Sequence, residues 1–175
     1  MYLQHKNITI RTASESDASL LERWWNDGAV MEHAGYPLGL GITLEEIVSQ
    51  LAGCSDETNQ CLILLKNDIP IGEMNYRFLN TFTAEVGIKI CSFSYQEQGI
   101  GKIALSMLIH HLFQQGCHRI ILDTNLKNSR AQHVYERLGF QKLRINPDSW
   151  INQLGQLESS VDYELTPALF HNFAV

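Results

Sequence analysis

The sequence predicts an α/β domain: a mixed sheet with parallel members and helices on both faces. Three observations carry that expectation. Residues 84 to 144 read strand, helix, strand, helix, strand, an order that requires crossovers and hence parallel strands. Ile100, Ile103, Ala104, Met107, Leu108 and Leu112 recur at helical spacing, one stripe that would pack on a sheet. Upstream, Cys61 to Lys66 and Ile69 to Arg77 are strand-like runs around Asn67-Asp68, the pattern of a hairpin. At 175 residues and 19.9 kDa the chain is expected to form one domain over residues 1–175, large enough to bury its own core.

In chain order, Asn7-Ile8-Thr9-Ile10-Arg11 alternates and reads as a first strand. Ser14 or Ser16 can cap a helix carrying Ala18, Leu20, Leu21, Trp24 and Trp25, ended by Asn26-Asp27-Gly28. Trp24 and Trp25 are adjacent and cannot share a helix face, so one is assigned to the core and the other to a groove. Gly35 to Gly41 is a glycine-rich loop, and Thr43 with Glu46 forms a capping box for a short helix ending near Gly53. Pro70 must sit at the start or edge of its strand. Ala84 to Cys91 is a strand, Gly116 a helix C-cap and Arg119 to Asp123 a buried strand. Asn128 to Leu138 reads as a helix closed by Gly139, Phe140 to Arg144 as a strand, and Ser159 to Leu165 as the last strand.

With 45% hydrophobic and 18% charged residues the chain is globular rather than disordered. No apolar run reaches the roughly 18–20 residues that cross a bilayer, and Met1 to Lys6 has no signal-peptide core. A cytoplasmic protein without a membrane partner is expected. Cys54, Cys61, Cys91 and Cys117 show no paired spacing and read as reduced, mostly core residues. A net charge of −6 and a pI near 5.6 argue against nucleic acid and for a cationic or neutral partner.

The chain is organised around Tyr95-Gln96-Glu97-Gln98-Gly99-Ile100-Gly101-Lys102, between a strand-like run and a helix start. Glycines let backbone approach a ligand, and the unpaired N–H groups and dipole of a first helical turn favour an anion. A dinucleotide fingerprint needs a third glycine where Ala104 stands; Asp123 lies at the acidic offset, but Asp123-Thr124-Asn125 reads as a strand exit. A Walker A loop needs Ser or Thr after Lys102, where Ile103 stands. Gln-x-x-Gly-x-Gly after a strand instead resembles the acetyl-coenzyme A pyrophosphate loop of the GCN5-related N-acetyltransferase (GNAT) superfamily. A second block, Asn128 to Phe140, resembles that family's Asn-x-x-Ala-x-x-x-Tyr-x-x-Leu-Gly-Phe signature, in the right order along the chain. Ile8 to Arg11, Asp17 and Trp25-Asn26-Asp27 resemble its RimJ/RimL-like branch.

The resemblance implies a mostly antiparallel sheet with one splayed parallel pair, acetyl-CoA as co-substrate, and direct acetyl transfer to a primary amine. The acceptor would be a protein N-terminus or a small molecule, with aminoglycosides and polyamines as alternatives. A non-catalytic coenzyme-binding module is the alternative of another class. No nucleic acid is expected, and the chain would act as a monomer or homodimer. The same resemblance makes Tyr135 the general acid, Glu85 the general base and Asn128 a coenzyme contact. It gives the pyrophosphate the amides of Gln98, Gly99, Ile100, Gly101, Lys102 and Ile103, and gives the pantetheine arm the main chain of Ile90, Cys91 and Ser92.

Read as residues alone, Asn128 and Tyr135 are seven apart on a helix, about 700° and roughly 10 Å along the axis, so they project from nearly one side. Tyr135 as a core aromatic and Asn128 as a plain cap stay open, as do Glu85 paired across strands and Glu73 as the competing carboxylate. His110, His111, Cys117 and His118 match no zinc spacing. Nothing by sequence pairs Cys91 with a histidine base, so no acyl-enzyme is expected. Trp25, His33, Tyr36, Tyr76 and Trp150 are candidate walls for the acceptor; Glu32, Glu45, Glu46 and Asp56 could make its groove acidic.

Overall fold

The computed structural model describes all of residues 1–175. Its element order is β1 (Tyr2–His5), β2 (Ile8–Thr12), α1 (Ala18–Trp25), α2 (Gly28–Met31), α3 (Leu44–Ala52), β3 (Asn59–Lys66), β4 (Ile69–Asn80) and β5 (Thr83–Ile90). Then follow α4 (Ile100–Gln114), β6 (Arg119–Asn125), α5 (Ser129–Leu138), β7 (Gln141–Ile151) and β8 (Leu157–Leu165). The strands form one sheet in the order β1-β2-β3-β4-β5-β6-β8-β7. Every pairing is antiparallel except β5–β6. The predicted crossovers are both present, yet only one makes a parallel pair, because β8 inserts between β6 and β7.

Alternation along β3 sends side chains to both faces of the sheet. Leu62 and Leu64 join the larger core with the buried stripe of α4, Tyr135 and Leu138 of α5, and Tyr163 of β8. Ile63 and Leu65 join a smaller core with Leu21 of α1 and Ile47 of α3. Helices therefore cover both faces. Trp24 and Trp25 are both half-buried against the smaller core, so neither is the groove residue expected of one of them.

Local chemistry sets the joints. Asn67 and Asp68 take φ of 50° and 61°, the left-handed pair that a two-residue hairpin turn needs. Thr43 and Glu46 make the reciprocal capping box at α3. Ser14 caps a 3-10 turn over Glu15–Asp17 that delivers α1, and Asp17 is gripped by both terminal nitrogens of Arg11 at 2.7 Å. β1 was not expected: four residues without a hydrophobic run are held by pairing to β2. β7 runs past Arg144 to Ile151 through Pro147, which a register shift and Asp148 at φ 47° accommodate.

Candidate active site

The site exists because β5 and β6 part company. They pair in parallel only over Thr83–Glu85 and Arg119–Ile121. Beyond Glu85, β5 follows β4, while β6 follows β8 out to Asn125. A cleft of about 1180 Å³ opens between the splayed ends, flanked by the N-terminus of α4 and by α5. From Val86 to Ile90 the β6-facing edge of β5 has no strand partner, an edge to which an extended ligand can add.

The glycine loop closes one end. Gln96 donates its Nε2 to the Ile90 carbonyl at 2.9 Å and so fixes the strand exit. Glu97 takes φ 60° and Gly99 φ 74°, which turns the backbone into a concave N–H surface. The amides of Gly99, Ile100, Gly101 and Lys102 donate to no protein acceptor, and the first helical bond runs from Ile103 N–H to the Gly99 carbonyl at 3.3 Å. Gly99 is required by its φ; a Cβ there would meet nothing within 4 Å. Gly101 has ordinary backbone angles, and its Cβ would touch Ile90 Cδ1 at 3.6 Å, so the fold does not demand glycine there. Its bareness leaves room on the cleft side.

Helix α5 supplies the other wall. Asn128 Oδ1 caps it by accepting from Ala131 N–H at 3.2 Å, which leaves the Nδ2 group free to donate into the cleft. Tyr135 packs its ring against Tyr163 (5.7 Å between centroids) and Phe140 (5.8 Å). The residue is 7% exposed, and its hydroxyl makes no hydrogen bond within the protein. Burial, helped by Asp123, pushes the phenol up to about 12, so it holds its proton at neutral pH.

The opposite face carries charges. Glu85 binds Arg77 across the β4–β5 ladder at 2.6 Å, the cross-strand pairing that was left open for it. Asp123, on β6 two residues beyond Glu85's partner Ile121, keeps an exposed face but has its pKa raised above the usual 3.8 by partial desolvation between the cleft walls, then by the Glu85 and Asp162 carboxylates. Glu73 is 2% exposed, paired with Lys89 at 2.8 Å, and does not line the cleft. Burial works against the Lys89 ammonium, but Glu73 outweighs it and the pKa is raised. Cys91 is buried, and its thiol is pushed up to about 12 by burial and then by Glu73, so it offers almost no thiolate. The roof is Ala29, Val30, Glu32, His33 and Ala34 with Trp150, whose ring would lie 2.3 Å from a Cβ on Gly35.

Of the residues expected at the site, Glu85, Ile90, Gly99, Ile100, Gly101, Lys102, Asn128 and Tyr135 line the cleft. Cys91, Ser92, Gln98 and Ile103 do not. The Ser92 amide is already bonded to Ile71 O at 2.9 Å, and that of Ile103 to Gly99. The Gln98 side chain turns away to Ser94 O and Lys66 Nζ, while its amide, the group expected to act, donates to no protein acceptor. Among the acceptor walls, His33, Glu32 and Trp150 are present. Trp25 and Tyr36 do not line the cleft, and Tyr76 turns its hydroxyl to Asp56 O. Asp123 was missed as chemistry. Its outward place beside inward Ile120 and Leu122 was the available signal.

A sheet splayed at one parallel pair, with a glycine loop and a helix N-terminus at the opening, defines the GNAT class of fold. The acetyltransferase (GNAT) domain model matches residues 7–141, and the chain belongs to that family. RimL, a ribosomal L7/L12 alpha-N-protein acetyltransferase solved with coenzyme A, superposes with a TM-score of 0.82 at 16% identity, over 95% of this chain and 98% of that one. Spermidine N-acetyltransferase from Vibrio cholerae, solved with CoA and spermine, gives 0.80 at 18% identity over 93% and 97%. By sequence, an uncharacterized protein of Methanocaldococcus jannaschii is 25% identical over 157 residues, 86% of this chain. The match covers 32% of that relative's length. No helix is long and apolar enough to cross a membrane.

Proposed function

We propose that this chain is an acetyl-CoA-dependent N-acetyltransferase that moves the acetyl group directly to a primary amine of a protein N-terminus or small molecule. One observation carries the reading: unpaired amides at the α4 N-terminus and an unpartnered Tyr135 hydroxyl face the same cleft. The amides of Gly99 to Lys102 receive the pyrophosphate, the free edge of β5 at Ile88 to Ile90 receives the pantetheine arm, and the Asn128 Nδ2 group donates to the same arm. The amine enters from the face of Glu85 and Asp123. Asp123 takes the ammonium proton, with Glu85 setting its proton affinity; Glu85 as the direct base is the rival assignment. The neutral nitrogen attacks the thioester carbonyl; the tetrahedral adduct releases its surplus N–H proton to solvent and its C–S bond breaks, while Tyr135 delivers its proton to the leaving sulfur and is reprotonated by solvent. Cys91 takes no part.

A second reading of the acceptor, a polyamine, is favoured by the Glu32, Glu85 and Asp123 carboxylates on the acceptor side. The test is release of the coenzyme A thiol with spermidine, aminoglycosides, amino acids and short peptides as acceptors. Release with one amine class, lost in Tyr135→Phe, supports the reading and names the class. Coenzyme binding without release from any acceptor, folded proteins included, would favour a non-catalytic binding module.

A further inference from the structure

After β8 the chain folds back over α4 and α5. Pro167–Leu169 is a 3-10 turn whose last carbonyl lies where a Cβ on Gly139 would be only 1.9 Å away. His171 N–H donates to the Leu138 carbonyl at 2.9 Å, and Phe170 sits edge-on to Phe113 at 5.6 Å. Phe173 N–H donates at 3.0 Å to Oγ of Ser106, a fully buried hydroxyl in an otherwise apolar stripe of α4. These anchors hold the Phe173 ring 4.0 Å from Lys102 Nζ and 5.9 Å from Arg137 Cζ. Both cations line the cleft, and Lys102 stands in the first turn of α4.

Neither cation has a carboxylate within salt-bridge distance, whereas Arg77, Lys89 and Arg130 nearby are all paired. The ring face attracts both through its quadrupole without neutralising them. It restrains a long lysine side chain that would otherwise sample many rotamers, and leaves its charge available to a ligand.

We propose that Phe173 is a positioning residue for the coenzyme: it holds Lys102 and Arg137 as an unneutralised pair that receives one of the coenzyme's phosphoryl groups. The proposal rests on the acetyl-CoA reading above. Its test is direct binding, without turnover, of coenzyme A and of dephospho-coenzyme A, which lacks the 3′-phosphate. The proteins are wild type, Phe173→Leu, Phe173→Tyr, Lys102→Met and the Phe173→Leu/Lys102→Met double variant. Phe173→Leu should weaken coenzyme A about 3- to 10-fold, while Phe173→Tyr, which keeps the ring, should stay within about twofold. In the Lys102→Met background the leucine penalty should shrink to under about twofold, the coupling that mere packing would not give. A penalty that disappears with dephospho-coenzyme A assigns the 3′-phosphate; one that persists assigns the pyrophosphate. An unchanged affinity in Phe173→Leu, or an equal penalty with and without Lys102, overturns the proposal. Failure of the wild type to bind coenzyme A refutes the acetyltransferase reading itself, before any variant is compared. Should the leucine variant unfold, Phe173→Met fills the site without a ring and is expected to show the same loss.

Discussion

Replacing Tyr135 by Phe removes one oxygen from a hydroxyl that no protein group hydrogen-bonds. The ring, its contacts with Tyr163 and Phe140, and the α5 backbone are untouched. Folding therefore loses no hydrogen bond. The hydroxyl keeps solvent contact, since no fully buried side-chain polar atom lacks a partner, so the variant should match wild-type stability within about 1 kcal/mol. For a 175-residue domain that is a shift in melting temperature of no more than about 4 °C. Catalysis should respond far more strongly. Loss of a positioned proton donor costs about 10²–10⁴-fold, so kcat should fall at least about 100-fold while acetyl-CoA affinity stays within about twofold. Because burial holds the phenol near 12, the acid form persists through the accessible alkaline range, and Tyr135 should contribute no limb to the wild-type profile below that value. Three measurements serve: steady-state thiol release, calorimetric binding of acetyl-CoA, and thermal unfolding. Turnover within about threefold of wild type, in a folded variant that binds acetyl-CoA normally, would remove Tyr135 as the acid.

The other expectations concern single positions. Gly101→Ala should keep or raise stability by up to ~1 kcal/mol, as alanine does in a helix, yet weaken acetyl-CoA binding at least about tenfold by filling the cleft side of the first turn; unchanged affinity by titration would misplace the loop. Asp123→Asn should remove the acid limb that Asp123 imposes, where activity rises with pH through a pKa held above 3.8, and Glu85→Gln should move that limb to lower pH; a wild-type profile in Asp123→Asn hands the base to Glu85. Gly139→Ala should lower stability by about 2–3 kcal/mol in denaturant melts, since φ is 99° and the new Cβ meets the Leu169 carbonyl. Asp17→Asn should cost about 1–2 kcal/mol at neutral pH through the pair between buried Asp17 and partly exposed Arg11. Arg11 holds Asp17 below its usual 3.8, so that contribution is complete above this value and disappears as pH falls through the lowered folded pKa; a variant–wild-type difference that stays constant down to pH 2 would contradict it.

The donor half of the cleft was legible because it is local in sequence. Gly99, Ile100, Gly101 and Lys102 are consecutive, and a strand, a left-handed glycine and a helix start suffice to aim their amides. Asn128 and Tyr135 share one helix, so their common side follows from 3.6 residues per turn. Ser92 and Ile103 lie one step outside the break, where bonds to Ile71 O and to the Gly99 carbonyl already take their amides. The acceptor half is different in kind. Glu32 and His33, Glu85, Asp123 and Trp150 come from four separate stretches, and none has a neighbour that announces it. Asp123 gains chemical weight only because β8 inserts beside β6 and draws it away from β5, so that its carboxylate stands unpaired by cations near Glu85 instead of inside a continuous ladder. Trp150 was a candidate wall by residue type alone; its place on the roof follows from a strand that does not end at Arg144 but runs on through Pro147 and a bulge at Asp148. Contiguous residues thus build the loop-and-α5 half of the cleft, and dispersed residues build its roof and β6 side. On the proposed acetyltransferase reading, acceptor specificity would change by substitution at the roof and at β6 while the loop and α5 stay fixed. For this chain, exchanges at His33 or Trp150 should alter the KM of the amine and leave acetyl-CoA affinity alone, whereas a parallel loss of both would mean that the two halves are not separable.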